Sequence, residues 1–186
     1  MLRELGTSVS CCAACRAINL ASDGRSSSYL FFQTPGTTSD FTSFGQTFLT
    51  GGECVTLSSF TFGLRSERGT ARIQLNALLY TYNFATDQVT GSRLASQLTS
   101  AIQSQTSLTV TFPQPVQLTP ATSYAIILTT AGLGQAGTNR EIGIYLGDPN
   151  GIPGGTWLSQ RSGDNPAEIE TTPFTPNSQS FDITIN

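Results

Sequence analysis

The most regular feature of the sequence is an alternation of period two over residues 71–83. Ile73, Leu75, Ala77 and Leu79 fall on one side of an extended chain, and Gln74, Asn76, Leu78, Tyr80 and Tyr82 on the other. A β-strand is the conformation that gives such a period a buried face. Both sides become apolar toward the end of the run, which predicts that its later half is covered on both faces. Nine further runs of the same kind occupy residues 29–33, 46–49, 55–64, 94–98, 108–112, 116–118, 124–129, 142–146 and 181–185. Gly (18 residues) and Pro (9 residues) are spread between them, and no sustained helical period competes. Ten short strands joined by tight turns predict an all-β chain, an antiparallel β-sandwich of jelly-roll type.

Within this frame the residue pattern sets finer expectations. Leu57 and Phe60 differ in parity, so a register change near Ser58 and Ser59 is predicted, with a bulge that reverses the facing of the two halves. Pro113 and Pro115 lack a backbone donor and are expected to end the strand that carries Leu108, Val110 and Phe112. Phe181, Ile183 and Ile185 alternate with Asp182 and Thr184, which places the last strand inside a sheet. The predicted core contains Phe60, Phe62, Ile73, Leu75, Leu108, Val110, Ile126, Leu128, Ile144, Phe181 and Ile183.

Residues 1–27 read differently. They hold three of the four cysteines and end in Asp23-Gly-Arg-Ser-Ser-Ser, a linker-like composition. They are expected to form a short N-terminal anchoring segment, with residues 28–186 as the β domain. Ala13, Ala14 and Ala17, with Ser10 as a cap, make residues 7–19 the one candidate helix. Four readings fit the cysteines. These are a zinc site, a redox pair at Cys12 and Cys15, reduced buried side chains, and interchain disulfides formed by Cys11, Cys12 and Cys15. A tail outside the core is better placed to bond a neighbouring chain than to staple its own core, which favours the last.

The chemistry is limited by what is missing. All nine basic residues are arginine, with no histidine and no lysine. Arginine stays protonated and cannot act as a general base, so Ser–His and Cys–His catalysis are closed. Nothing singles out a carboxylate pair among the 12 acidic residues, and the expectation is a protein without enzymatic activity, cofactor or metal. A net charge of -3 without a basic cluster predicts no nucleic-acid partner. No run approaches the roughly 20 apolar residues of a membrane span, so no membrane insertion is expected. Met1 is followed by no secretory signal, which predicts synthesis in a cytoplasm.

What remains suits binding. Aromatic rings beside amides and carboxylates are the usual equipment for sugars. Two loops offer it: Tyr82, Asn83 and Asp87 in one, Asp148, Asn150 and Trp157 in the other. The competing reading of Trp157 is a cap on the sandwich core. Asp148 with Asn150, and Asp164 with Asn165, also read as turn chemistry or as fragments of a calcium site.

The segments Phe44-Gly-Gln-Thr-Phe48, Leu57-Ser-Ser-Phe-Thr-Phe62, Ala77-Leu-Leu-Tyr80, Val110-Thr-Phe112, Leu118-Thr-Pro-Ala-Thr-Ser-Tyr124 and Phe181-Asp-Ile-Thr-Ile185 resemble bacterial jelly-roll modules of the carbohydrate-binding type. The resemblance covers residues 40–186 and transfers no binding residue. The whole arrangement, a cysteine-rich N-terminal segment before such a sandwich, resembles short tail fibres and host-attachment proteins of contractile-tailed bacteriophages, cyanophages among them. That resemblance implies a virion protein docked to a baseplate through its N-terminus, trimeric, and directed at host surface polysaccharide. A capsid decoration protein and a secreted or cell-surface adhesive module are the alternatives.

Overall fold

The computed structural model describes residues 15–33, 42–65, 72–102, 104–135, 141–148, 152–161 and 165–186. In chain order the strands are β1 (Arg16–Ala17), β2 (Leu20–Ala21), β3 (Asp23–Gln33), β4 (Ser43–Leu49), β5 (Val55–Arg65), β6 (Arg72–Asn83) and β7 (Gln88–Ile102). They continue as β8 (Ser107–Leu118), β9 (Ser123–Thr129), β10 (Glu141–Asp148), β11 (Trp157–Gln160), β12 (Thr175–Asn177), β13 (Ser180–Phe181) and β14 (Ile183–Ile185). One helical turn, α1 (Glu168–Thr171), precedes β12.

Two sheets pack face to face, as the alternation requires. The first is built around β5, which takes antiparallel β8 along one side. Its other side is shared in turn by parallel β1, antiparallel β14 and antiparallel β10. The second sheet is fully antiparallel in the order β12-β11-β4-β9-β6-β7. Every predicted core residue lies in the single buried cluster between the sheets. Phe60, Phe62 and Phe181 meet there edge to face, with centroids 5.6 Å apart for both Phe60–Phe62 and Phe62–Phe181, the arrangement the ring quadrupole favours. The last strand, β14, sits between β5 and β2.

The two-faced burial of β6 is also present. Ile73, Leu75, Ala77 and Leu79 face the sandwich core, and Leu78, Tyr80 and Tyr82 join a second cluster on the outer side of the sheet. Ile169 and Phe174 of the α1 segment cover that cluster, each burial contributing about 2 kcal/mol. Gln160 ties the segment down: its Nε2 donates to the carbonyls of Glu168 (3.0 Å) and Thr172 (2.7 Å). Tyr80 donates its hydroxyl to Glu170 Oε1 at 2.8 Å.

The parity change in β5 is a true irregularity. Pairing with β8 jumps between Leu57 and Ser59, and the backbone N–H groups of Ser58 and Ser59 both donate to the carbonyl of Asn186. The extra residues lie on β8. Leu57 faces Val116 while Ser59 faces Thr111, so the stretch holding Pro113 and Pro115 is accommodated as an outward loop. The strand therefore continues through the prolines, because a bulge removes the need for their missing donors.

The N-terminal expectations change most. Residues 16–17 form a strand, not the end of a helix, because the backbone pairs with β5; residues 7–14 of that candidate helix lie outside the described residues. Arg16 is opposite Val55, and the N–H of Ile18 donates to the carbonyl of Thr56 at 2.9 Å. Ile18 is buried in the main core. The boundary expected after residue 27 falls inside β3, and the sheet already includes β1 and β2.

Candidate functional site

Parallel pairing of β1 with β5 brings Cys15 beside Cys54, Cα to Cα 4.9 Å, and the two form a disulfide within the chain. Gln117 Nε2 lies 3.2 Å from one sulfur and 3.1 Å from the other. Cys15 is therefore not an interchain residue. For Cys15 the isolated-tail reading does not hold, because the strand that follows it belongs to the sheet. Cys11 and Cys12 lie outside the described residues.

The two predicted sugar loops are placed differently. Tyr82 is buried, stacked edge-on against Phe84 at 5.0 Å, and its hydroxyl donates to Asp87 Oδ1 at 3.3 Å. Burial first, and the Asp87 carboxylate second, push the Tyr82 hydroxyl above its ordinary pKa. Tyr80 is raised in the same way, by burial and then by Glu170. Neither ring is open to a ligand. Asn83 Oδ1 accepts the Ala85 N–H at 2.8 Å, the geometry of an Asx turn, and Asp87 holds a left-handed φ of 51°. The exposed ring of this hairpin is Phe84.

Asp148 is exposed at the end of β10, opposite Asp23. Asn150 and Asp164 lie outside the described residues, and Asn165 Oδ1 accepts the Ala167 N–H at 3.1 Å, again turn chemistry. Among the described residues no three His, Cys, Asp or Glu side chains gather as metal ligands would.

Trp157 stands at the boundary of both earlier readings. Its ring packs on Phe44 (6.2 Å) and Phe181 (5.9 Å) at the rim of the main core. It also borders an open notch of about 550 Å³, where β12 leaves β11 after three paired residues. Arg161, Ser159, Thr172, Thr175 and Asn177 line the same notch. The indole N–H of Trp157 and Oε1 of Gln160, which also lines it, are buried without a hydrogen-bond partner. The Gln160 amide is oriented by its two carbonyl contacts, so the oxygen rather than the nitrogen is left over.

The hairpin and the notch meet through one segment. The carbonyl of Asp87 accepts the Phe174 N–H at 2.7 Å, and the next residue, Thr175, pairs with Ser159. Sequence reading found Trp157 but none of the notch's other residues. Ser159, Gln160 and Arg161 follow Trp157 along β11 and just beyond it, and the others come from β12 and the turn before it; these short polar stretches carry no periodic signal. No protein-family model matches the chain, and no curated protein matches it.

Proposed function

We propose that this protein is a non-catalytic attachment protein that holds neutral glycan in the notch beside Trp157, and that it serves as a tail fibre of a phage particle. The observation that carries the glycan reading is the composition of the notch: one aromatic ring, one guanidinium, one proline, and otherwise hydroxyls and amides. A pyranose offers an apolar face for the ring and hydroxyls that both donate and accept. The Trp157 N–H and the Gln160 oxygen, each without a partner, are a donor and an acceptor carried by residues that line the notch. A volume near 550 Å³ suits one or two sugar rings.

The virion reading is supported by the resemblance of the whole chain and by a disulfide whose persistence calls for an oxidising surrounding. The test is binding of the full chain to a panel of immobilised bacterial envelope polysaccharides, with Asn177→Ala and Arg161→Gln beside the wild type. Binding by the wild type and its loss in Asn177→Ala support the reading. No binding across the panel, or equal binding by both variants, overturns it. Antibody to the chain should also label the tails of purified particles.

A further inference from the structure

Among the described residues, strand β7 is the outermost strand of the second sheet and pairs on one side only, with β6. Between Ala95 and Ile102 its register with β6 is unbroken, so the strand is straight over these residues, and only at its last residue are the backbone groups taken up locally, the Ile102 N–H by Gln105 Oε1 and the Ile102 carbonyl by the Gln105 N–H. Sheet edges are normally kept single by charge, proline, bulges or shortness. The other outer strands carry such devices. β8 has Pro113 and Pro115 at its irregularity, β12 is three residues long with Pro176, β2 has two residues, and β3 contains Asp23 and Arg25. From Leu94 to Ile102, β7 has no charge, no proline and no glycine.

The same stretch is close to a chemical palindrome. Leu94-Ala95-Ser96-Gln97-Leu98-Thr99-Ser100-Ala101-Ile102, set antiparallel to a second copy of itself about Leu98, places Leu94 opposite Ile102. Ala95 then meets Ala101, Ser96 meets Ser100, Gln97 meets Thr99, and Leu98 meets Leu98. Every pair matches in polarity and all but Gln97–Thr99 match in size, which is what stabilises cross-strand neighbours. The one cation nearby, Arg93, lies beyond the end of this pairing. Leu98 and Leu94 are exposed by 54% and 45%, among the most exposed large apolar side chains of the described residues. The Leu98 carbonyl takes the side-chain amide of its neighbour Gln97 at 2.9 Å, a contact that a paired strand would replace.

We infer that two copies of this protein pair through β7 about a two-fold axis at Leu98, joining their second sheets into one continuous sheet. The nine residues of the edge stretch and the six residues of β8 that line the groove beside it, from Phe112 to Gln117, make about fifteen per copy. At the usual ~35 Å² for each interface residue this buries about 1,000 Å² in all, the lower limit for a specific interface. The pair is thus expected to form with rising concentration and to be two-fold rather than three-fold.

The test uses the full chain with Cys11→Ser and Cys12→Ser, which removes interchain disulfides as a cause of association. Light scattering after size exclusion should show the mass rising from one chain to two as concentration increases. Leu98→Arg should weaken the pair about tenfold or more, since it sets like charges face to face. An equimolar mixture of Leu98→Arg with Leu98→Glu should recover the two-chain mass. A one-chain mass at every concentration, a three-chain mass, or pairing untouched by Leu98→Arg overturns the inference. If circular dichroism shows Leu98→Arg misfolded, the double variant Ser96→Arg with Ser100→Arg, which sets like charges opposite each other, should lose the pair, and mixing it with Ser96→Glu with Ser100→Glu should restore it.

Discussion

Replacing Cys54 with Ser removes the Cys15–Cys54 crosslink while leaving the strands in place. The bond closes a stretch of 39 residues. Loop-closure entropy for that length corresponds to about 4 kcal/mol of stability in the chain-entropy model. For a chain of this size, 1 kcal/mol moves the melting temperature by roughly 2–4 °C, so Cys54→Ser should melt about 10 °C lower. Little else at the site compensates. The Arg16–Glu53 ion pair is about 70% exposed on both sides, and such pairs contribute little. Scanning calorimetry of wild type and variant without reductant reads the difference directly. Wild type in dithiothreitol should fall to the melting temperature of the variant, and peptide mapping under non-reducing conditions should recover Cys15 joined to Cys54. A variant within about 2 °C of wild type, with reductant also without effect, would refute the crosslink and the tethering of β1.

Burial raises the pKa of both Tyr80 and Tyr82, so the folded state holds their protons more tightly than the unfolded state. Stability is fully present below the ordinary tyrosine pKa of about 10 and should fall above it, by up to about 1.4 kcal/mol per pH unit for each ring; a urea midpoint unchanged from pH 9 to pH 11.5 contradicts this, and Tyr82→Phe should halve the slope. At Gly45, in the middle of β4, an added Cβ would meet Ile127 Cδ1 and lie 2.8 Å from the Ile126 carbonyl. Gly45→Ala should therefore cost about 1–3 kcal/mol, measured as a lower urea midpoint, and a neutral result would mean that β4 and β9 are spaced more widely than found.

The fold was legible wherever side chains alternate against a core. β6 shows this best, since its two apolar faces call for a second covering layer, which the α1 segment supplies. The parity change at Leu57 and Phe60 likewise marked the bulge. Pro113 and Pro115 predict a strand end from local donor loss, whereas the extra residues of β8 let the strand continue past them. The N-terminal residues misled for a tertiary reason: alanine propensity at Ala17 yields to the backbone pairing with β5 and the burial of Ile18. A parallel pair between residues 39 positions apart leaves no local trace, and the partner of Cys15 leaves none either. Trp157 was visible as a rare residue in a loop, whereas Ser159, Thr172, Thr175 and Asn177 become neighbours only when β12 docks on β11.

Trp157 is the one tryptophan of the chain, so its fluorescence reports on the notch alone. Titrating the full protein with a panel of neutral oligosaccharides of hexose, deoxyhexose and N-acetylhexosamine, at about 50 mM and about 500 mM salt, measures occupancy at the proposed site. A saturable change in emission for at least one sugar is predicted, with a millimolar to micromolar midpoint for a single shallow site, little affected by salt and abolished by Asn177→Ala. Emission that no sugar moves, in a chain that still melts cooperatively, would contradict glycan binding at this notch.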